Sequence, residues 1–71
     1  MEIKVGQRWR EVDPRIDRIV EVLEIADTSI RPIRIRTVEV NGIRKTIIGG
    51  RSTWVSRERF NGKRGGYEFV S

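Results

Sequence analysis

The residues best suited to chemistry in this chain are its arginines and a tryptophan set among them. Arg34 and Arg36 alternate with Ile33 and Ile35, and Arg51, Trp54 and Arg57 follow at intervals of three residues. A guanidinium is a planar fork of donors that grips phosphate or carboxylate through paired hydrogen bonds and stacks on aromatic rings. An exposed indole among such groups is a platform for a nucleobase or an anchor for a partner. Lys63 and Arg64, within Asn61-Gly62-Lys63-Arg64-Gly65-Gly66, add a flexible basic loop that can touch phosphates. That loop lacks the glycine spacing and terminal Lys-Ser/Thr of a P-loop, and it precedes a strand rather than a helix. The candidate nucleic-acid-binding set is therefore Arg34, Arg36, Arg51, Trp54, Arg57, Lys63 and Arg64. Two plainer readings stand beside it. Arg31, Arg34 and Arg36 can pair across strands with Glu21, Glu24 or Glu39 as an ordinary solvated face. Trp54 can instead cover the open end of a barrel.

Other chemistry is poorly supplied. The chain has no cysteine and no histidine, which removes disulfides, thiolate and imidazole metal ligands, the usual nucleophiles and the usual neutral-pH base. Asp13, Asp17, Glu21 and Glu24 supply carboxylates, but nothing in their spacing fixes them in a pocket. The expectation is a non-enzymatic protein with no catalytic residues, no metal and no cofactor.

Charge says more by its distribution than by its sum. The net charge of +5 divides into −2 over residues 1–30 and +7 over residues 31–71, and twelve of the fifteen bases are arginine. Such a half suits a polyanion, most simply nucleic acid. An acidic protein surface imitates phosphate and fits the same arginines. Charge that serves solubility alone is the plainer account.

Seventy-one residues make one domain, 1–71, that buries only about 60% of its unfolded surface. The start Met1-Glu2-Ile3-Lys4-Val5 lacks the apolar run of a signal peptide. No apolar run exceeds two residues, so no membrane span is expected. The expectation is a soluble, cytoplasmic protein, with its oligomeric state open.

The elements that must position these side chains are short. Ile3 to Val12 alternates Ile3, Val5, Gln7 and Trp9 against Lys4, Arg8 and Arg10, a half-buried strand ended by Asp13-Pro14-Arg15. Ile16 to Asp27 carries two patterns. Asp13 as cap and Pro14 as first residue would start an amphipathic helix over Ile16, Ile19, Val20, Leu23 and Ala26. Its β-branched residues favour a strand in which one bulge absorbs a phase slip between Val20-Glu21-Val22 and Leu23-Glu24-Ile25. Asn41-Gly42 marks a type I′ hairpin with Val40 facing Ile43 and Val38 facing Lys45. That side is not the side of Ile33 and Ile35, so the hairpin must twist or bulge. Gly49-Gly50 is either a bulge or a loop that separates Thr53-Trp54-Val55, where Trp54 points outward if Val55 points in, close to Arg51, Arg57 and Arg59. Ser56 to Phe60 has the length of one helical turn, and Tyr67 to Val70 closes the chain as a strand. The expected core is Val5, Trp9, Val20, Val22, Ile33, Ile35, Val55, Phe60 and Phe69.

This order of strand, loop, three-strand meander, single turn and closing strand resembles the SH3-like barrels, Tudor-like and KOW-like forms included. Val5-Gly6-Gln7-Arg8-Trp9-Arg10-Glu11 with Asp13, Arg59-Phe60 and Gly66-Tyr67-Glu68-Phe69-Val70 is similar to a set of small uncharacterised bacteriophage and bacterial proteins. The resemblance implies an all-β, five-stranded, partly open SH3-like barrel and a phage or prophage setting, but no activity. It leaves three roles open: a nucleic-acid-binding module, an accessory protein that binds an acidic partner such as a host defence factor, and a small structural assembly component. Only five aromatics are present; with most of them needed inside, neither a proline-rich-peptide groove nor a methyl-lysine cage is expected.

Overall fold

Alternation in period two, cut by proline, glycine and asparagine, resolves into short strands. The computed structural model describes residues 2–27, 29–44 and 52–71. Its elements are β1 (Arg8–Glu11), β2 (Arg18–Ile25), β3 (Ile33–Val40), β4 (Ile43–Arg44), β5 (Ser52–Val55), one turn of 3-10 helix (Arg57–Arg59) and β6 (Tyr67–Phe69). All pairings are antiparallel, in the order β4-β3-β2-β1-β6 with β5 also on β3. Because β2 takes one edge of β3 along its length, β4 and β5 share the other, and the sheet is five strands wide. Among the described residues β5 does not pair with β6, so the sheet curls without closing. The result is an all-β, partly open barrel with SH3-like strand order. No helix among the described residues is long and apolar enough to cross a membrane.

Residues 18–25 form a strand, as their β-branched content favours. The register steps from Val22–Ile35 to Glu24–Arg34, leaving Leu23 as an extra residue. This bulge is the phase slip written into the sequence. A second shift, from Ile19–Glu39 to Val20–Thr37, leaves Val38 as the extra residue of β3 and supplies the bulge that the hairpin requires. At its tip Asn41 (φ 51°) and Gly42 (φ 80°) take the two positive angles of a type I′ turn, and Val40 faces Ile43. The Val38–Lys45 pairing and the Gly49-Gly50 element lie outside the described residues. Asp13 ends β1's extension by an Asx turn, its carboxylate accepting from the Arg15 backbone N–H at 2.9 Å.

Trp9, Val20, Val22, Ile33, Ile35, Val55 and Tyr67 form the buried core, with Ile3, Ile25 and Phe60 packed against it. Trp9 organises one end, meeting Phe60 at 4.9 Å and Phe69 at 5.5 Å, both edge to face. Of the expected core, Phe60 is partly buried at its margin, and two residues lie outside it. Val5 is 62% exposed, because the first strand begins only at Arg8. The preceding Lys4–Gln7 segment closes as a turn, Gln7 N donating to Lys4 O at 3.2 Å, with Gly6 at φ 92°; Val5 stands at the turn's tip. Phe69 lies on the core face opposite Trp9 but, as the last residue of β6, is 42% exposed. Tyr67, two residues earlier on the same face, is buried in its place.

Candidate nucleic-acid interface

The period of two that turns Ile33, Ile35 and Val55 inward turns Arg34, Arg36 and Trp54 outward. Arg34 pairs with Trp54 across β3 and β5, and Arg36 pairs with Ser52. Three of the expected site residues thus share the outer face of one two-strand ribbon. Val55 is buried and Trp54 is 38% exposed, as the alternation predicts. Arg51 lies outside the described residues.

The electrostatics of this face differ from those of an open basic stripe. Arg34 donates from Nε to Ser52 Oγ at 2.7 Å and from Nη1 to Glu24 at 3.4 Å. Arg36 donates to Glu21 at 3.2 Å, and the same carboxylate lies 3.8 Å from Arg8. Arg57, at the start of the 3-10 turn, pairs with Asp27. The plainer reading, cross-strand pairing with Glu21 and Glu24, describes Arg34 and Arg36. The cause is the register: Arg8, Glu21 and Arg36 fall in one row across β1, β2 and β3, and Glu24 and Arg34 in the next. The Arg34–Glu24 and Arg57–Asp27 pairs are exposed, so each contributes only about 0–1 kcal/mol and exchanges readily for another anion, while the Glu21 carboxylate shared by Arg8 and Arg36 is half-buried.

Beyond Trp54 the face continues into the β2–β3 loop. Trp54, Ala26, Ser29, Ile30 and Arg31 line an open pocket of ≈ 390 Å³. Ile30 is 91% exposed, and Arg31 makes no ion pair among the described residues. Ile30 was not singled out by sequence reasoning. Its signal was an apolar side chain between Ser29 and Arg31-Pro32, in a turn where no alternation calls for one. Ser29 Oγ accepts from the Arg31 backbone N–H at 3.1 Å and shapes this turn.

Arg59, expected beside Trp54, belongs elsewhere. Its guanidinium lies 5.0 Å over the Tyr67 ring and 3.9 Å from Glu11. Burial pushes the Tyr67 phenol above its ordinary value, with the positive charge of Arg59 opposing. Lys63 and Arg64 are not part of the Trp54 surface either. Their loop is tied to the end of β1, with Gly65 N donating to Val12 O at 3.0 Å and Val12 N to Gly66 O at 2.9 Å. Arg64 lines an open groove of ≈ 860 Å³ with the Asp13–Asp17 turn and Asn41. Carboxylates there meet Arg10 and Arg15, while Lys63 and Arg64 make no ion pair among the described residues. The loop expected to be flexible is hydrogen-bonded through its length: Asn61 Nδ2 donates to Glu58 O, Lys63 N to Asn61 Oδ1, and Gly62 N to Tyr67 O.

No group of three or more His, Cys, Asp or Glu side chains among the described residues could hold a metal ion. Compared with known proteins, the chain matches no family model, no curated protein and no solved structure.

Proposed function

We propose that this chain is a non-enzymatic binding module that contacts nucleic acid through the outer face of β3 and β5, centred on Trp54. The observation that carries this reading is the exposed indole set opposite Arg34 and beside Arg31, on a chain with net charge +5. An aromatic face supplies stacking, and guanidinium groups around it supply phosphate contacts. The carboxylates that hold Arg34 and Arg57 do not forbid this, because exposed ion pairs are weak enough to be replaced by phosphate. Lys63 and Arg64 offer a separate phosphate contact at the other end of β1.

A second reading, an acidic protein partner, draws on Ile30, whose nearly complete exposure beside Trp54 suits an apolar side chain of another protein. The deciding experiment is a salt-titrated binding assay against single- and double-stranded DNA and RNA, with heparin as a polyanion control. The nucleic-acid reading expects affinity that Trp54→Ala reduces. Absence of binding at low salt overturns it and leaves the protein partner. Equal, weak binding to every polyanion, heparin included, means that charge alone is at work.

A further inference from the structure

The Trp54 surface has a property that bears on which nucleic acid it takes. A duplex offers phosphates along its flanks, while its base faces are covered by one another. A protein that tracks a duplex therefore needs a row of uncompensated cations, and its affinity falls steeply with salt. The outer face of this sheet has no such row among the described residues. Arg10 lies 3.1 Å from Asp17 and 3.7 Å from Glu68, and Arg8, Arg34 and Arg36 each meet Glu21 or Glu24 within 3.8 Å. What the face does offer is one aromatic plane, an exposed isoleucine next to it, and one arginine, Arg31, free of any ion pair among the described residues. Such a pocket fits a flat, largely apolar ring with an anionic group nearby.

We propose, resting on the nucleic-acid reading above, that this site takes an unpaired base of a single strand and discriminates against duplex. The base stacks on Trp54 and covers Ile30, and Arg31 meets an adjoining phosphate. Arg34 gives up its weak contact with Glu24 for a second phosphate. Recognition rests on the ring face, which every base possesses, so the site tolerates sequence. With only one or two phosphates engaged, the salt slope is shallow, about 0.7 for each contact on a single strand.

The chain reports on this site by its own fluorescence. Of its two tryptophans, Trp9 is 3% exposed and Trp54 is 38% exposed, so a stacked base quenches Trp54 and leaves Trp9 unchanged. The probes are oligothymidylate and oligouridylate of about ten nucleotides, within the usual reach of one small barrel, and a long blunt DNA duplex whose ends are few. The expected result is quenching by both single strands, affinity for the duplex at least tenfold weaker per site, and a shallow salt slope. Trp54→Phe keeps a ring and retains most of the affinity, while Trp54→Ala loses about tenfold or more; thermal melts of both variants confirm that they fold. Duplex binding as tight as single-strand binding, with Trp54 emission unchanged and Trp54→Ala without effect, overturns this inference but leaves the nucleic-acid reading standing. No binding to any of these probes at low salt overturns that reading as well. Quenching by polyglutamate but by no nucleic acid also overturns both, in favour of an acidic protein partner.

Discussion

Arg34 and Trp54 stand opposite one another across β3 and β5, both on the outer face of the sheet. Arg34 does not spend its guanidinium on the indole: Nε donates to Ser52 on the tryptophan's own strand, and Nη1 reaches Glu24 on the far side of β3. The ring is thus flanked by a cation that already holds an anion. That arrangement makes the carboxylates of the face competitors of any anionic ligand.

Removing a competing carboxylate should strengthen binding. Glu24→Gln frees Arg34 and Glu21→Gln frees both Arg8 and Arg36, and each is expected to raise affinity for single-stranded nucleic acid about two- to fivefold at low salt, the range set by one surface ion pair. Asp27→Asn should act likewise through Arg57. Fluorescence titration at two salt concentrations checks this. Unchanged affinity in all three variants would mean that these arginines do not meet the ligand.

Core truncations separate Trp9 from Phe69. Trp9 is buried and touches both Phe60 and Phe69, so Trp9→Ala should cost about 3–5 kcal/mol, enough to unfold a domain of this size. Phe69 shares the core face but keeps 42% of its surface in water. Phe69→Ala should cost about 1–2 kcal/mol, less than full burial implies. Denaturant titration measures both, and equal losses would place Phe69 in the core after all.

How much of this was legible beforehand depends on what each residue answers to. Strand positions answer to alternation, which placed Ile33, Ile35 and Val55 inside and Trp54 outside. The bulges at Leu23 and Val38 were also legible, because each repairs a visible break of phase. Val5 and Phe69 were misread because alternation assigns a face but does not say where a strand stops. Lys4–Gln7 closes as a turn through the Gln7 N–H on the Lys4 carbonyl, and beyond Phe69 the chain stays bonded to β1 at Arg8 without extending the strand. The site was half legible. Residue types found Arg34, Arg36 and Trp54, but the carboxylate opposite each arginine depends on register, which one bulge shifts by a residue. Ile30 and Arg31 sit in a loop with no period to read.

Gly66 is constrained by space. It is buried, and a Cβ there would collide with the Arg59 carbonyl and the Asn61 side chain. Gly66→Ala should therefore destabilise by about 1–3 kcal/mol through overpacking, although the change is a single methyl. A variant as stable as the parent would show that the 61–66 loop shifts freely.

Acid should act partly through Asp13. The Arg15 guanidinium, and then the Arg15 backbone N–H, hold its carboxyl below the ordinary value of 3.8 against a small opposing effect of burial. A depressed folded pKa stabilises the fold above the unfolded pKa, and the gain is lost as pH falls through the folded value. Asp13→Asn should flatten the acid limb of a melting-temperature profile taken below about pH 4. An unaltered acid limb would show that the Asp13–Arg15 contact does not persist in solution.

The most shielded carboxylate among the described ion pairs is that of Glu11. Glu11 pairs opposite Tyr67 on β6, its side chain is only 16% exposed, and it lies 3.4 Å from Arg18 and 3.9 Å from Arg59. One carboxylate therefore holds two guanidinium groups, and Arg59 Nε is itself buried without a partner. Glu11→Gln would leave two like charges facing each other in a partly enclosed site, and is expected to cost about 2 kcal/mol. Arg18→Met should cost less, because Glu11 keeps Arg59 and the methionine stem preserves packing. Combining Glu11→Gln with Arg18→Met should recover part of the loss, since only one cation then remains unpaired. Because Glu11 is largely shielded, 1 M salt should reduce these differences only slightly. Urea titrations of the three variants measure the cycle. Strictly additive losses would mean that Glu11 and Arg18 do not interact.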